Sequence, residues 1–323
     1  VAGLLERYKI DADAHSKGET LLAHKAKRWA TLQQHADEVA ESYGVEPTLI
    51  PKSELADHGL NGTFHGALTN PIGFALNPLK SDLRIAEAAR RAGARFFEHS
   101  PVIRLEQGAQ FTLHTPKGRI TAKRLIIATN GYSSEDVPNW LPPRCMPVPS
   151  SVLVTRSLTD EELANAGWTS YQIAFDSRNL LHYFRLMPSR QFLFGMRGGI
   201  FANARSDTKI KGLIRSDFEQ MFPAWRHVET PHMWSGLVCM NAKGAPFTGP
   251  IPDMPGAFAS LSYHGNGVAM ASYCGTLLAD LVQDTDTRLP YPEVLQSTPS
   301  KLLFGTKRRW VLPPLYAAVG LVD

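Results

Sequence analysis

Cysteine is scarce in this sequence of 323 residues, and its three cysteines lie far apart, at Cys145, Cys239 and Cys274. An odd number at wide spacing excludes the disulfide framework of small secreted domains and a CxxC metal site. We therefore expect three reduced thiols. The eleven histidines form no HxH or HExxH pair, so we expect no metal site.

Long apolar runs and blocks of like charge are also missing. No run approaches the roughly 20 apolar residues that a membrane span needs, and no basic-then-apolar signal segment opens the sequence, so we expect a cytoplasmic protein without a membrane span. The 34 basic and 30 acidic residues are spread along the chain, which argues against nucleic acid as a partner. An apolar content of 43% indicates a globular fold, with room for two domains.

The first half of the sequence alternates between helix and strand signals. Apolar spacing predicts a long helix over residues 19–44 and another in the run that starts at Pro78, followed by a strand. Three β-rich runs then predict a meander: "RFFEHSPVIRLEQ", "QFTLHTPKG" and "RITAKRLIIATNG". The last run is continuous over residues 125–128, which is typical of a strand buried on both faces. Ligands of open α/β sheets bind at the carboxyl ends of such strands.

The second half has a different pattern. Strand-like runs over residues 145–236, with helical stretches near 159–166 and 211–221, predict a separate antiparallel sheet with helices on one side. The run "GAFASLSYHGNGVAMASYCGTLLADLVQD" then predicts a strand, a glycine turn and a helix. We therefore predict an α/β domain interleaved with an α+β domain.

A histidine and two glycines stand at the start of that last predicted helix. Gly265 and Gly267 permit positive φ and close backbone approach, and a helix start presents N–H groups with partial positive charge. An anionic or electron-rich ring edge would be a suitable ligand. The alternative is a glycine turn that only lets the strand pack against the helix.

Five segments carry a resemblance to a known family: "GFALNPLKSDLRIAEAARRAGARFFEHSPVIRL", "RLIIATNGYS", "LLHYFRLMPSRQFLFGMRGG", "WSGLVCMNAKGAPFTGPIP" and "SLSYHGNGVAMA". In order and approximate spacing they resemble the D-amino-acid oxidase-like FAD oxidoreductases, which include glycine and sarcosine oxidases. The resemblance covers residues 1–285. Within the family, the "YFRLMPSRQFLFGMR" and "HGNGV" runs are most similar to the amine oxidoreductase branch typified by γ-glutamylputrescine oxidase.

The resemblance implies a domain assignment and a reaction. Residues 78–144 and 237–323 would form a Rossmann-like FAD-binding domain, and residues 1–77 and 145–236 a substrate domain with a helical region at its N-terminal end. A small amine or amino acid would give a hydride to flavin N5, the imine would hydrolyse, and O₂ or an unknown acceptor would reoxidise the flavin. The alternative is a non-catalytic substrate-binding or interaction module without flavin.

The same resemblance implies which residues hold FAD. Val102 matches a position whose backbone meets the adenine side, although it could equally be a core strand valine. The pair Cys239-Met240 resembles the site of covalent flavin in sarcosine oxidases, and the alternative is a non-covalent flavin beside a buried free thiol. The remaining cofactor residues are Thr129, Asn130 and Gly131 at a strand end, and His264, Gly265, Asn266, Gly267 and Val268 beside the flavin ring.

Four residues are candidates for contact with the substrate: Tyr183, Arg185, Arg197 and, at the flavin ring, His264. The two arginines lie in otherwise apolar runs, where an unpaired guanidinium is unfavourable. Each therefore needs an anionic partner or an exposed cleft. The partner would be either a carboxylate-bearing amine or the carboxylate of a structural salt bridge. Trp234 either walls the cavity or belongs to the core.

The glycine motif that binds the ADP half of FAD in this family, GxGxxG, does not occur in the 323 residues. The opening "VAGLLERYKIDADAHSKGE" resembles the region that follows the βαβ unit bearing that motif. We expect an incomplete or truncated chain, an omitted disordered segment, or a partner chain that supplies the dinucleotide-binding half. FAD affinity would then be reduced, and apolar surface beside residues 125–128 would favour self-association.

Overall fold

The chain folds into two compact units, each assembled from separate stretches of sequence. The computed structural model describes residues 1–134, 136–199 and 204–322. The first unit contains Val1–Ile10, Asp82–Val148 and Leu237–Pro313, and the second contains Asp11–Ser81, Pro149–Gly236 and Pro314–Asp323. What each unit binds stays a prediction.

Helices occur in both units, and none of them within the described ranges is long and apolar enough to cross a membrane. The helix predicted over residues 19–44 begins only at Ala26, because residues 19–22 form a strand. The α-helices of the described chain are Ala2–Tyr8 (α1), Ala26–Tyr43 (α2), Pro78–Arg91 (α3), Asp160–Ala166 (α4), Ala204–Met221 (α5), Gly267–Val282 (α6), Glu293–Gln296 (α7) and Leu312–Val322 (α8).

The strands form one large sheet and two small ones. The large sheet has the order β12-β8-β11-β10-β9-β1-β3-β2, and the small ones are β13-β14-β7 and β4-β5-β6. The strands of the described residues are Glu19–Leu22 (β1), Thr48–Pro51 (β2), Gly66–Asn70 (β3), Arg104–Gln107 (β4), Phe111–Thr115 (β5), Gly118–Ala122 (β6), Leu125–Ile127 (β7), Met146–Val154 (β8), Ile173–Asp176 (β9), His182–Leu186 (β10), Phe192–Arg197 (β11), His232–Met240 (β12), Phe247–Pro250 (β13) and Ala257–Leu261 (β14).

The large sheet is mixed, whereas an antiparallel sheet was predicted for residues 145–236 alone. Strand β1 pairs with β3 in the antiparallel sense and with β9 in the parallel sense, so the N-terminal strands extend the sheet. Thr20 and Leu22 are buried while Glu19 is exposed. This alternation places every second residue of β1 in the core, which a helix could not do.

One face of the large sheet packs on an aromatic core. His182, Phe184 and Leu186 of β10 are buried, whereas Tyr183 and Arg185 between them are only half-buried. The Phe184 ring lies 5.6 Å from that of Trp168, centroid to centroid, in an edge-to-face arrangement. Because side chains of a strand alternate, Tyr183 and Arg185 lie on the face opposite this core.

The first unit contains the predicted meander and the predicted strand, turn and helix. Strand β7 pairs in parallel with β14, and α6 follows β14. Leu125 and Ile127 are buried, but Ile126 is 44% exposed, so the prediction of a strand buried on both faces is wrong for one face. The predicted self-association through this surface stays a prediction.

The first run of the predicted meander is mostly not a strand. Residues 104–107 of the run 95–107 form a strand, β4, which pairs with β5. Phe96 and Phe97 are exposed and lie outside the strands of the described chain, whereas exposed Ile103 donates its N–H to the carbonyl oxygen of His114 in β5 at 2.9 Å. Apolar and β-branched residues favour a strand only where a partner strand is available, because the backbone groups need hydrogen bonds.

Candidate functional site

Two parallel strands of the first unit end side by side, and the predicted cofactor residues follow them. The segment Thr129, Asn130 and Gly131 comes after β7, and the 264–268 turn comes after β14. Asn130 has φ 46°, and its Oδ1 accepts the Ser262 N–H at 2.9 Å. The side chain of Asn130 therefore ties the two strand ends together.

Close packing explains the glycine after Asn130. Gly131 is buried, and a Cβ atom there would lie 2.9 Å from the carbonyl oxygen of Leu237. A larger residue would push the segment away from β12. Thr129 is exposed, and its Oγ1 lies 2.7 Å from the hydroxyl of Ser133.

The 264–268 turn leaves the start of α6 open. His264 and Gly265 have φ of 54° and 101°, and α6 begins at Gly267. Asn266 occupies the N-cap without a side-chain capping hydrogen bond, and Gly265, Asn266 and Val268 are exposed. The first N–H groups of a helix have no partner within it, so this turn presents backbone donors and partial positive charge.

The His264 ring is held by a neighbouring turn that the sequence did not single out. His264 Nε2 lies 3.4 Å from the Asn241 backbone N–H and 3.3 Å from Asn241 Oδ1. Asn241 Oδ1 also accepts the N–H groups of Lys243 and Gly244. The signal for this Asx turn is the "NAKG" run, because asparagine commonly accepts backbone N–H groups two and three residues ahead.

These residues fit the electron-rich edge of FAD. The set of residues 129–131 and 264–268 contains backbone donors, small side chains and no carboxylate.

Val102 is 36% exposed and precedes β4, so it is not a core strand valine. Its contact with the adenine side stays a prediction.

Cys239 and Cys145 lie beneath the end of β14. All three cysteines are free and buried. Cys239 Sγ lies 3.4 Å from Ser262 Oγ, and Cys145 Sγ lies 4.0 Å from the same oxygen. Hydrogen bonding to Cys239 and burial raise the pKa of the Cys145 thiol.

No group of three His, Cys, Asp or Glu side chains that could hold a metal ion occurs in the part of the chain that the structure describes.

A cavity of about 850 Å³ in the second unit, called here the arginine cavity, contains Arg185. Arg185 Nη2 donates to the carbonyl oxygen of Leu76 at 3.0 Å. No carboxylate among the described residues pairs with this guanidinium, and burial lowers its pKa. The lining residues are Asp13, Ala14, His15, Leu76, Asn77, Pro78, Leu79, Val154, Arg185, Met187, Pro188, Ser189, Gln191, Leu193, His232 and Trp234.

The arginine cavity is also lined by one carboxylate, Asp13, which has partners of its own. Asp13 is bound by Lys80 and Asn77, and the hydrogen bond from Lys80 is the main cause of its lowered pKa. Trp234 is 51% exposed and lines the cavity, so it is not a core residue. Among the residues that the structure describes, Arg185 does not form the structural salt bridge that was its alternative.

Tyr183 lies on the same sheet face as Arg185. Its hydroxyl is 3.0 Å from Ser150 Oγ, and burial raises its pKa. Gly195 is its cross-strand partner. A Cβ atom at Gly195 would lie 2.2 Å from the Tyr183 ring, so the ring rests directly on the backbone of β11.

We expect Gly195→Ala to destabilise the protein by about 1–3 kcal/mol, because the added methyl group must displace the Tyr183 ring from a packed position. Urea unfolding measures the change. Gly212→Ala is the matched control, since Gly212 lies inside α5 with open space around it. That control is expected to gain about 0.5–1 kcal/mol. A Gly195→Ala protein as stable as the wild type would contradict the expectation.

Arg197 lines a second cavity of about 500 Å³, together with Arg178, His182 and Asp217. Burial lowers the pKa of Arg197. The structure thus brings Arg185 and Tyr183 to one sheet face but places the two arginines in different cavities. The sequence did not indicate the carboxylates that flank His182: Nδ1 lies 3.0 Å from Asp176 Oδ2, and Nε2 lies 3.0 Å from Asp217 Oδ2.

Comparison with known proteins agrees with the resemblance inferred from the sequence. The family model described as FAD dependent oxidoreductase matches residues 1–281. Gamma-glutamylputrescine oxidoreductase of Escherichia coli is 27% identical over 279 residues, which are 86% of this chain and 64% of that protein. A probable oxidoreductase, OrdL, of Rhizobium meliloti is 28% identical over 291 residues, 90% of this chain and 66% of that protein. The chain spans about two thirds of the length of these relatives.

The fold agrees as well. The crystal structure of glycine oxidase from Geobacillus kaustophilus matches with a TM-score of 0.76 at 20% identity, covering 93% of this chain and 80% of that one. The predicted combination of α/β and α+β architecture is therefore confirmed. The family match spans residues 1–281, which is most of the chain. The chain belongs to the FAD dependent oxidoreductase family.

Proposed function

We propose that the protein oxidises the C–N bond of a small amine or amino acid that carries a carboxylate, with FAD as the cofactor. The observation that carries the proposal is Arg185, a half-buried guanidinium that lines a cavity and, within the described part of the chain, donates to a backbone carbonyl and to no carboxylate. A buried cation without a carboxylate partner is unfavourable until an anion binds. Family membership supports FAD as the cofactor.

The first unit would hold the flavin. Residues Thr129, Asn130 and Gly131 and the 264–268 turn would contact it, and the open start of α6 would stabilise negative charge at its pyrimidine end. The chemistry supplied by bound FAD is acceptance of the amine C–H hydride at flavin N5. The His264 side chain is fixed by Asn241 and would orient the edge of the flavin ring through a hydrogen bond.

The second unit would hold the substrate. Arg185 can form two parallel hydrogen bonds with a carboxylate, which fixes the direction of the amine as well as its position. The Tyr183 phenol, held between Ser150 and Gly195, offers a rigid surface on the same sheet face. Positioning of this kind is a large part of what a protein adds to cofactor chemistry. Arg197, in its separate cavity, would contact a more distant part of the substrate.

The test is anaerobic flavin reduction. The FAD-loaded protein is expected to lose the visible absorption of oxidised flavin when an amine is added, and to respond to carboxylate-bearing amines at lower concentration than to the same amines as amides or esters. Amides and esters are the matched controls, because they keep the carbon skeleton and remove the negative charge. A flavin that no amine reduces would contradict the proposal. A protein that takes up no FAD would instead favour a non-catalytic binding module.

A further inference from the structure

A short 3₁₀ helix in the first unit presents two exposed aromatic rings with a lysine between them. The helix runs over Gly305–Val311, and Phe304 is its N-cap residue. Side chains three apart lie above one another in a 3₁₀ helix, and the Nζ atom of Lys307 lies 5.0 Å from the centre of the Trp310 ring. Phe304 stands one turn before Lys307 and accepts its N–H at 2.8 Å. We call Phe304, Lys307 and Trp310 the 304–310 stripe.

The stripe is exposed because the other side of this helix is bound to the body of the unit. Arg308 is 2% exposed, and its Nε donates to the carbonyl oxygen of Cys145 at 2.5 Å. The N–H of Leu302 donates to the carbonyl oxygen of Pro143 at 2.6 Å. Lys307 is exposed, and each of the two rings of the stripe is 64% exposed. The helix therefore displays the rings to solvent from a well-supported position.

The sequence around the stripe carries charge of one sign. Residues 294–322 contain no aspartate or glutamate and four basic residues, which equal the formal net charge of the whole chain, +4. Residues 137–159, which include the segment bound by Arg308 and Leu302, also contain no aspartate or glutamate. The four basic residues are Lys301, Lys307, Arg308 and Arg309. A positive surface of this kind is complementary to an anionic partner.

The side chains of the stripe and its neighbour favour a lipid surface as that partner. Leu303 is 73% exposed, and large apolar side chains grouped on a surface mark an interaction site. Tryptophan and phenylalanine enter the headgroup layer of a bilayer, where a lysine lays its stem along apolar groups and keeps its charge at the phosphates. An aliphatic side chain such as Leu303 has no π-face on which a nucleic-acid base could stack, but it is readily buried among acyl chains.

We propose that the 304–310 stripe, together with Leu303 and Lys301, binds the surface of an anionic lipid bilayer. The two rings and Leu303 insert at the level of the headgroups, and Lys301 and Lys307 lie beside lipid phosphates. This contact is peripheral and does not depend on the proposed reaction. It concerns a part of the chain that lies beyond residues 1–281, which the family model matches.

Sedimentation of the 323-residue chain with lipid vesicles tests the proposal. One set of vesicles contains phosphatidylcholine mixed with phosphatidylglycerol, and the other contains phosphatidylcholine alone. We expect the wild type to bind the anionic vesicles at least about tenfold more tightly, because each lysine near an anionic surface gains roughly a factor of five. Added salt is expected to weaken this binding, because it screens the lysines.

Trp310→Ser is expected to weaken binding to anionic vesicles by about tenfold or more, because a buried ring is lost, and Lys307→Gln by about fivefold. Trp310→Phe keeps a ring and is expected to bind within about threefold of wild type. Tyr43→Ser is the matched control and is expected to bind like the wild type. Tyr43 is 65% exposed, as the rings of the stripe are, but it lies two residues from Glu41 at the end of α2.

Fluorescence quenching by lipids with brominated acyl chains gives a second measurement. Emission of the wild type is expected to fall on binding, and that of Trp310→Phe to fall much less. A wild type that binds neither set of vesicles, or both equally, would overturn the inference, and so would a loss in Tyr43→Ser as large as in Trp310→Ser. Binding of oligothymidylate that Trp310→Ser abolishes, without vesicle binding, would show that the stripe binds nucleic acid and not lipid.

Discussion

Arg185→Gln is expected to weaken the binding of carboxylate ligands by roughly 100-fold, the largest effect on binding of any single change in the arginine cavity. Truncating one partner of a buried, hydrogen-bonded charge pair costs about 2–5 kcal/mol, and about 1.4 kcal/mol corresponds to a factor of ten. Glutamine keeps a hydrogen-bond donor near Leu76 and removes the charge. The change in the dissociation constant of hexanoate, measured by calorimetry, reports the effect directly.

The kinetic counterpart of this result depends on what Arg185 does. If it holds the carboxylate equally in the ground state and the transition state, Arg185→Gln raises KM and leaves kcat nearly unchanged. If the carboxylate also aligns the reacting C–H bond, kcat falls as well, because misplacement of a substrate by about 1 Å can reduce the rate about 100-fold. Arg185→Lys keeps the charge without the paired donors, so the difference between the Lys and Gln variants measures the value of the guanidinium geometry.

Two further arginine variants serve as controls for the loss of charge. Arg84 lies on the exposed face of α3 and pairs with Glu87, so Arg84→Gln should leave binding unchanged. Arg197→Gln removes a half-buried guanidinium from the separate cavity of about 500 Å³, where it would contact a more distant part of the substrate, and should weaken hexanoate binding much less than Arg185→Gln. Affinity for hexanoate within about twofold of wild type in Arg185→Gln would contradict the assignment of Arg185 to the carboxylate.

The parts of the fold that the sequence predicted well are those controlled by local signals. Residues 160–166 form α4 behind a capping box made by Thr159 and Glu162, a pattern that satisfies backbone donors within one turn. The segment from β14 through the 264–268 turn to α6 is equally local, because glycines and apolar spacing mark it. Tyr183 and Arg185, two residues apart, are placed on one face by strand alternation alone.

The errors came from pairings between residues distant in sequence. Within residues 19–22, Leu21 and Leu22 fit a helix as well as a strand, and the strand forms because β3 and β9 lie on either side of it. His15 shows the same limit within the candidate site. It has no motif around it, and its position in the arginine cavity depends on a bridge to Ala75, sixty residues further along the chain. Periodicity over a short window carries no information about such partners.

The largest expected effect on stability belongs to a buried charge network that no motif indicated. Asp176 is fully buried, and its Oδ1 accepts hydrogen bonds from the backbone N–H groups of Arg178 and His182. Its Oδ2 contacts the guanidinium of Arg178 and the ring of His182. His182 reaches Asp217 of α5 with its other nitrogen, so it links β10 to the helix that covers the aromatic core. Asp176→Asn removes the carboxylate that pairs with Arg178 and leaves His182 with Asp217 alone, and we expect a loss of about 3–5 kcal/mol in the free energy of unfolding.

The pH dependence of the stability lost in Asp176→Asn identifies the cause of that loss. Burial by itself would lower the pKa of His182, but the hydrogen bonds and charges of Asp176 and Asp217 outweigh burial and raise it above the ordinary value of 6.5. A group whose pKa is raised on folding stabilises the protein fully below its unfolded value, and that stabilisation disappears as the pH rises through the folded pKa. The difference between wild type and Asp176→Asn should therefore shrink as the pH is raised through that folded value.

At low pH, protonation of Asp176 itself removes the stabilisation. Burial would raise the pKa of Asp176, but His182 and Arg178 outweigh burial and hold it below 3.8, so its contribution is present above that value and is lost only as the pH falls through the folded pKa. Urea unfolding at pH values that span the folded pKa values of Asp176 and His182 measures both changes in stability. His35→Gln is the control, because His35 pairs with Glu38 on an exposed helix surface. A loss of stability that stays the same as the pH rises through the folded pKa of His182 would show that Asp176 acts through Arg178 and hydrogen-bond geometry and not through the charge of His182.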